Sequence, residues 1–412
     1  MHINIINIAS PLHDEQALNH TLQQLLQHVN AHHSIIAPQQ ANDADNNQRP
    51  TILYIATGGT ENIARHILSE QLTDTAQPIW LLTSQQNNSL PATLEILAWC
   101  NSHKRKAEII YGTPADIAQR IDNIGRCAEA RQQWATQRMA VIGQPSDWLI
   151  ASDYNAETIH SKIGATVVDI PINELFAALQ GITDEQCHND IDNNAWLAPH
   201  TTMKQQWHAT LVDATRIYLA LKALIQQHRL TALTLRCFDL LDTIHNTGCW
   251  ALARLNAEGI IAACEGDVPA MLSMMMAQTL TKQTGFMANP STIDYEKTQI
   301  TFAHCTVPLN MVNAFSFDTH FESGIGIGIR GQMTEGDITL LKVNGDLSQH
   351  YIAEGQLTAN TCSPQRCRTQ TVIQLKNQQQ LQQLIDHPIG NHHIILNGHH
   401  QALLQQALAL LK

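Results

Sequence analysis

Apolar and polar positions alternate along this chain in blocks that change period several times. Ile3–Ile8 is a continuous apolar run that predicts a buried strand. Asp14–Val29 then places Leu18, Leu22, Leu25 and Leu26 on one face of a helix. TILYIAT (Thr51–Thr57) and PIWLLTS (Pro78–Ser84) read as further buried strands. The first is followed by a GGTEN turn and a helix over Ile63–Leu72, the second by a helix starting near Pro91. Between these blocks APQQANDADNNQRP (Ala37–Pro50) is nearly free of apolar residues and reads as a mobile surface loop. Strands separated by helices predict βαβ units and a parallel sheet.

The same rhythm restarts at RMAVIGQPSDWLIAS (Arg138–Ser152) and continues through a long helix near Leu211–His228 and the strand TALTLRCF (Thr231–Phe238). Beyond Gln299 it changes. ITFAHCTVPL, GIGIGIRGQM, DITLLKV, HYIAEGQL and TQTVIQLK are strand-like runs broken by turn residues, with a closing amphipathic helix over His400–Lys412. The expected fold class is α/β: two doubly wound parallel-sheet domains, residues 1–139 and 140–299, followed by a mainly antiparallel C-terminal β domain, residues 300–412.

Composition narrows the partners. The chain has 412 residues, 44% of them apolar and 15% charged, with a formal net charge of −12. That length implies more than one core. No Lys/Arg stripe follows a phosphate backbone, so nucleic acid is excluded as a partner. No apolar run approaches the ~20 residues that cross a bilayer, so no membrane association is expected. Nine scattered cysteines and the absence of a leader-like N-terminus point to a reducing, cytoplasmic setting. Cys237, Cys249, Cys264 and Cys305 lie in or beside apolar runs and read as buried small hydrophobes. Cys362 and Cys367 lack the second pair that a zinc ribbon requires.

The candidate chemistry concentrates late in the chain. The apolar run Ile260–Cys264 leads directly into Glu265-Gly266-Asp267, and a helix opens at Pro269. Ligands of open α/β sheets bind outside the carboxyl ends of strands, which is where Glu265 falls. Asp267 reads as the helix N-cap. His304 ends a second strand, and His392 and His393 begin a third. One carboxylate and two imidazoles from separate elements suit Mn²⁺, Zn²⁺ or a related ion with positions left for substrate oxygens. Gly59, Thr60 and Glu61 join a strand to a helix and can present backbone N–H groups to sugar hydroxyls, and Asn88 precedes another helix. His320, Glu322 and Arg330 flank the glycine-alternating run and read either as substrate contacts or as a solvated turn.

ACEGDVPAML, GFMANPSTID and FAHC, with IATGGTE, NNSLPA, IGQPSDWLIAS, LRCFDL, HFESGIGIGIRG and GNHH, resemble segments of the L-fucose/L-arabinose isomerase superfamily, in the same order and over most of the chain. The resemblance implies a sugar isomerase with a divalent metal, Mn²⁺ first among the candidates, and a homo-oligomer, trimer or hexamer. It also implies that Glu265 is metal ligand and acid/base, with His304 and His392, or alternatively His393, as imidazole ligands. One departure stands out. The family's second acidic residue falls in FMAN, where this chain has Ala288 and Asn289. An amide oxygen can ligate a cation but cannot accept a proton at neutral pH. Asp294, five residues further on, could replace it, although Ile-Asp-Tyr-Glu reads first as a turn. Two functions follow: a metal-dependent aldose–ketose isomerase acting on a small sugar, or a sugar-binding protein that kept the fold without turnover.

Overall fold

Strands such as TILYI and IWLLT lack alternation because helices cover both faces of their sheet. The computed structural model describes residues 2–42, 49–74 and 77–411, so residues 43–48 of the polar Ala37–Pro50 segment lie outside the described residues. The chain divides into two compact units, Met1–Gln132 and Gln133–Lys412.

In the first unit, β1 (His2–Ile8), β2 (His32–Ile36), β3 (Thr51–Ile55), β4 (Ile79–Thr83) and β5 (Ala107–Ile110) form one parallel sheet in the order β2-β1-β3-β4-β5. Every residue of β3 and β4 is buried. The helix Glu15–Leu26 turns Leu18, Leu22 and Leu26 inward, as its spacing predicts, and Asp14 caps it by accepting from the Gln16 amide at 2.9 Å.

The second unit opens with another parallel sheet, β6 (Arg138–Ile142), β7 (Thr166–Ile170), β8 (Ala232–Leu235) and β9 (Ile261–Cys264), in the order β7-β6-β8-β9. The helix Val268–Thr281 follows β9. Met274, Met275 and Met276 are core residues within it. Then come β10 (Phe286–Asp294), β11 (Gln299–His304), β12 (Val312–Asp318), β13 (Gly328–Met333), β14 (Gly336–Val343), β15 (His350–Thr361), β16 (Thr369–Leu375) and β17 (His393–Asn397). Six of them close an antiparallel barrel, β10-β11-β16-β15-β14-β17, while β12 and β13 pair as a separate hairpin. The barrel's first strand therefore starts at Phe286, ahead of the Gln299 position where the sequence pattern changes.

Barrel closure depends on β17, which bonds β10 through Phe286↔Ile395, Met287↔Ile394 and Ala288↔His393, and β14 on its other edge. Phe286, Phe302, Leu340, Tyr351, Ile373 and Ile395 fill its core. The helix Val268–Thr281 is tied to the barrel where Ser273 Oγ accepts the Val343 amide at 2.9 Å. The end of β9 thereby lies beside the middle of β10, the end of β11 and the start of β17. Among the described residues no helix is long and apolar enough to cross a membrane.

Candidate active site

Glu265 follows directly on β9 and adopts the left-handed conformation, φ +62°. A non-glycine residue held there is strained, which is common where a side chain must be aimed. Gly266 continues the turn at φ +71°, and a Cβ on it would meet the Gln144 carbonyl oxygen at 2.5 Å, so only glycine fits. The neighbouring Ser146–Trp148 loop holds the turn twice. The Ser146 amide donates to the Glu265 carbonyl at 2.9 Å, and the Trp148 indole N–H donates to Glu265 Oε2 at 2.7 Å.

The other carboxylate oxygen faces two imidazoles. His304 Nε2 lies 3.9 Å and His392 Nε2 3.6 Å from Glu265 Oε1, and the three residues can each direct a ligand atom into a cluster no wider than 4.8 Å. Ligands at roughly 2.0–2.2 Å from one cation stand about 3–3.5 Å apart, so the observed set needs only a slight contraction to grip an ion. Both rings are oriented from behind: His304 Nδ1 contacts Thr306 Oγ1 at 2.8 Å, and His392 Nδ1 contacts Asp267 Oδ2 at 2.7 Å. This is the carboxylate–histidine arrangement that fixes a metal ligand's free nitrogen.

Asp267 does more than cap. Its Oδ1 accepts the Ala270 amide at 2.8 Å, the N-cap bond expected from sequence, while its Oδ2 serves His392 and lies 3.6 Å from Lys342 Nζ. Asp267, Lys342 and His392 are all fully buried. Burial alone would raise the Asp267 carboxyl, but Lys342 and His392 bring it below its ordinary value. Burial likewise opposes ionisation of Glu265, yet contacts from His304 and His392 hold it well below the carboxylate range. Burial lowers His392, and the Asp267 and Glu265 carboxylates more than reverse this, pushing it up to about 9.

The fit to a cation can be tested on unsatisfied groups. His392 Nε2 and Asn289 Oδ1 are buried and have no hydrogen-bond partner among the described residues. Asn289 lines the same pocket of about 400 Å³ as Glu265 and His304, together with Trp148, Phe238, His320, Glu322, Cys305, Cys367 and Asn391. A lone pair on an imidazole and an amide oxygen, each orphaned beside a carboxylate, suit a divalent ion accepting N and O ligands. A larger groove of about 880 Å³ around Trp196 and Arg254 contains none of these groups.

Other expected site residues fall elsewhere. His393 turns into the barrel, its ring edge-on to Phe302 and Tyr351 at 5.9 and 5.5 Å, and burial lowers it to about 4. Successive strand residues point to opposite faces, so only one of the histidine pair reaches the pocket. Asp294 sits at the exposed β10–β11 turn, 3.0 Å from Lys297 Nζ. It is five residues along β10 from Asn289 and does not join the cluster. Arg330 pairs with Asp318 and donates to Cys362 Sγ at 2.7 Å, outside the pocket lining. His320 and Glu322 do line it. In the first unit, Gly59 (φ +75°), Thr60 and Glu61 follow β3, and Asn88 (φ +54°) follows β4. The two loops are joined by a Gly58 N–H bond to the Asn87 carbonyl at 2.8 Å.

Trp148, Phe238, Lys342 and the pocket cysteines were not legible as site residues. Trp148 had one signal, its place in IGQPSDWLIAS; a lone lysine in a β-strand had none.

The chain matches the model of the L-arabinose isomerase central domain over residues 153–283, the segment that carries β8, β9 and the Glu265 turn, which makes this segment similar to the L-fucose/L-arabinose isomerase-like superfamily. Among individual proteins the chain is similar to sulfoquinovose isomerase of Clostridium sp. (strain MSTE9), at 28% identity over 48% of this chain and 44% of the relative. It is also similar to sulfoquinovose isomerases of Alkalicoccus urumqiensis (23% identity; 53% of this chain, 50% of the relative) and Priestia megaterium (strain ATCC 12872 / QMB1551) (20%; 59% and 56%). The chain thus spans about half the length of the curated relatives it matches.

Proposed function

We propose that this protein is a divalent-metal-dependent aldose–ketose isomerase acting on a small sugar. The observation that carries the reading is the convergence of Glu265, His304 and His392 on one point, with Asn289 Oδ1 orphaned in the same pocket. Glu265, His304 and His392, with Asn289 as amide ligand, would hold the ion, and Mn²⁺ is the first candidate. When bound it supplies Lewis-acid polarisation of the sugar carbonyl and its adjacent hydroxyl.

The chain's own groups do the rest. Glu265 is the base that takes the proton from the carbon next to the carbonyl and returns it to the neighbouring carbon. Transfer of the hydroxyl proton needs a second group, and Glu322 and His320 share the pocket with Glu265. Burial lowers His320 and so favours its neutral form, which can accept a proton. Trp148 and Phe238 line the same pocket and present aromatic rings to it.

The names of the relatives make sulfoquinovose the first sugar to test, alongside pentoses, hexoses and deoxyhexoses. A cytoplasmic homo-oligomer, trimer or hexamer, is part of the same proposal and is checked by sedimentation. Asn289 favours a second reading, a sugar binder without turnover. Ketose formation by Mn²⁺-saturated protein, abolished in Glu265→Gln, supports the isomerase. Metal-dependent sugar binding with no ketose from any of these sugars supports the binder.

A further inference from the structure

Among the described residues, Trp148 makes the one hydrogen bond to the Glu265 carboxylate from outside the histidine pair, yet the residue is 51% exposed. A tryptophan whose indole N–H is spent inward and whose ring stays accessible is arranged for two tasks. Its ring stands edge-on to Phe238 at 4.7 Å, and Phe238 stands edge-on to His320 at 5.5 Å. All three line the pocket that holds Glu265.

We propose that Trp148 is a positioning residue for Glu265: its indole N–H fixes Oε2, so that Oε1 alone is presented to His304 and His392, while its ring forms with Phe238 an apolar wall for the carbon-bound hydrogens of the sugar. Three observations converge on this. A carboxylate in a strained left-handed residue is free to rotate about its side-chain torsions unless something outside the turn anchors it, and Trp148 is that anchor. The anchoring loop also fixes the backbone, through Ser146 N–H, so carboxylate and carbonyl are held from one segment. The bond is charge-assisted and, at 2.7 Å, in the range of strong N–H···O⁻ contacts. The role in ion binding rests on the metal-site reading above; the Trp148–Glu265 contact does not.

The test uses the full chain labelled with ¹⁵N. One of the seven indole N–H signals, identified by its loss in Trp148→Phe, is expected to move in Glu265→Gln, because the amide replaces a charged acceptor. Mn²⁺ titration by electron paramagnetic resonance should give a dissociation constant about tenfold or more higher in Trp148→Phe, the usual effect of removing an outer-shell partner, with an unchanged melting temperature. Where turnover is measurable, Trp148→Phe should lower kcat with KM little changed, since a ring remains, and Trp148→Ala should raise KM as well. An indole signal that does not respond to Glu265→Gln overturns the proposal. So does Mn²⁺ binding by Trp148→Phe within twofold of wild type. If the wild type takes up no Mn²⁺, the metal reading fails, and the indole signal alone then decides the Trp148–Glu265 contact.

Discussion

Asp267 accepts a helix's Ala270 amide with one carboxylate oxygen and orients His392 with the other, at 2.8 and 2.7 Å. A structural cap and a site-orienting group are thus the same side chain, and the two roles can be separated by substitution. Asn caps helices nearly as well as Asp, but its amide offers His392 Nδ1 a neutral partner of reversible polarity. Asp267→Asn should therefore hold its helix and lose about 10–100-fold in Mn²⁺ affinity. Equal losses in far-ultraviolet circular dichroism and in Mn²⁺ binding would count against this division.

Glu265→Gln removes the only carboxylate in the ligand cluster. Mn²⁺ uptake and any turnover should both fall below detection, in calorimetry and in a ketose assay respectively. Retained Mn²⁺ stoichiometry would place the ion elsewhere.

The two adjacent histidines should respond oppositely. His392→Phe should abolish Mn²⁺ uptake. His393→Phe replaces one ring by another between Phe302 and Tyr351 and should leave Mn²⁺ affinity within about twofold, at a cost in stability of roughly 1–2 kcal/mol from overpacking. Isothermal titration with thermal melts distinguishes the two variants.

The pH response follows from His392, raised from 6.5 to about 9 in the ion-free protein. A proton bound more tightly in the folded state stabilises it fully below about 6.5, and that stabilisation is lost as pH rises through about 9. An ion needs the same Nε2 lone pair, so Mn²⁺ competes with the proton. Affinity should rise with pH, approaching tenfold per unit, and level off near pH 9. Melting temperatures without ion should fall over the same interval. An Mn²⁺ affinity independent of pH between 6.5 and 9 would refute this coupling.

Asn289→Asp adds an anionic oxygen where the amide oxygen now lacks a partner. Mn²⁺ binding should tighten by about tenfold or more, since ligand charge governs affinity for hard cations. Weaker binding would mean that Asn289 Oδ1 does not face the ion.

Much of this was readable from the chain because period and burial are local properties. Runs such as TILYI and IAAC are strands covered on both sides, and they announce themselves. Glu265 was legible for the same reason, as a carboxylate at a strand end before a capped helix. His304 and His392 came mainly through resemblance to known isomerases. What stayed hidden depends on long-range pairing. Nothing in HHIIL states which histidine faces inward; that is set by the register Ala288↔His393 across the barrel. Asp294 reads first as a turn residue and lies at the β10–β11 turn; the five residues that separate it from Asn289 cover about 16 Å along an extended strand. Lys342 was silent, since only the closed barrel brings it to Asp267.

The order in which the barrel closes has a consequence for how the site comes into being. Glu265, Asp267 and His304 all precede residue 305, but His392 waits for β17, which is bonded on both edges only when β10 and β14 are already in place. A nascent chain released before that strand carries Glu265, His304 and Asn289 but lacks the second imidazole of the cluster. Capture of an ion at the proposed site would thereby require that the last strand has docked.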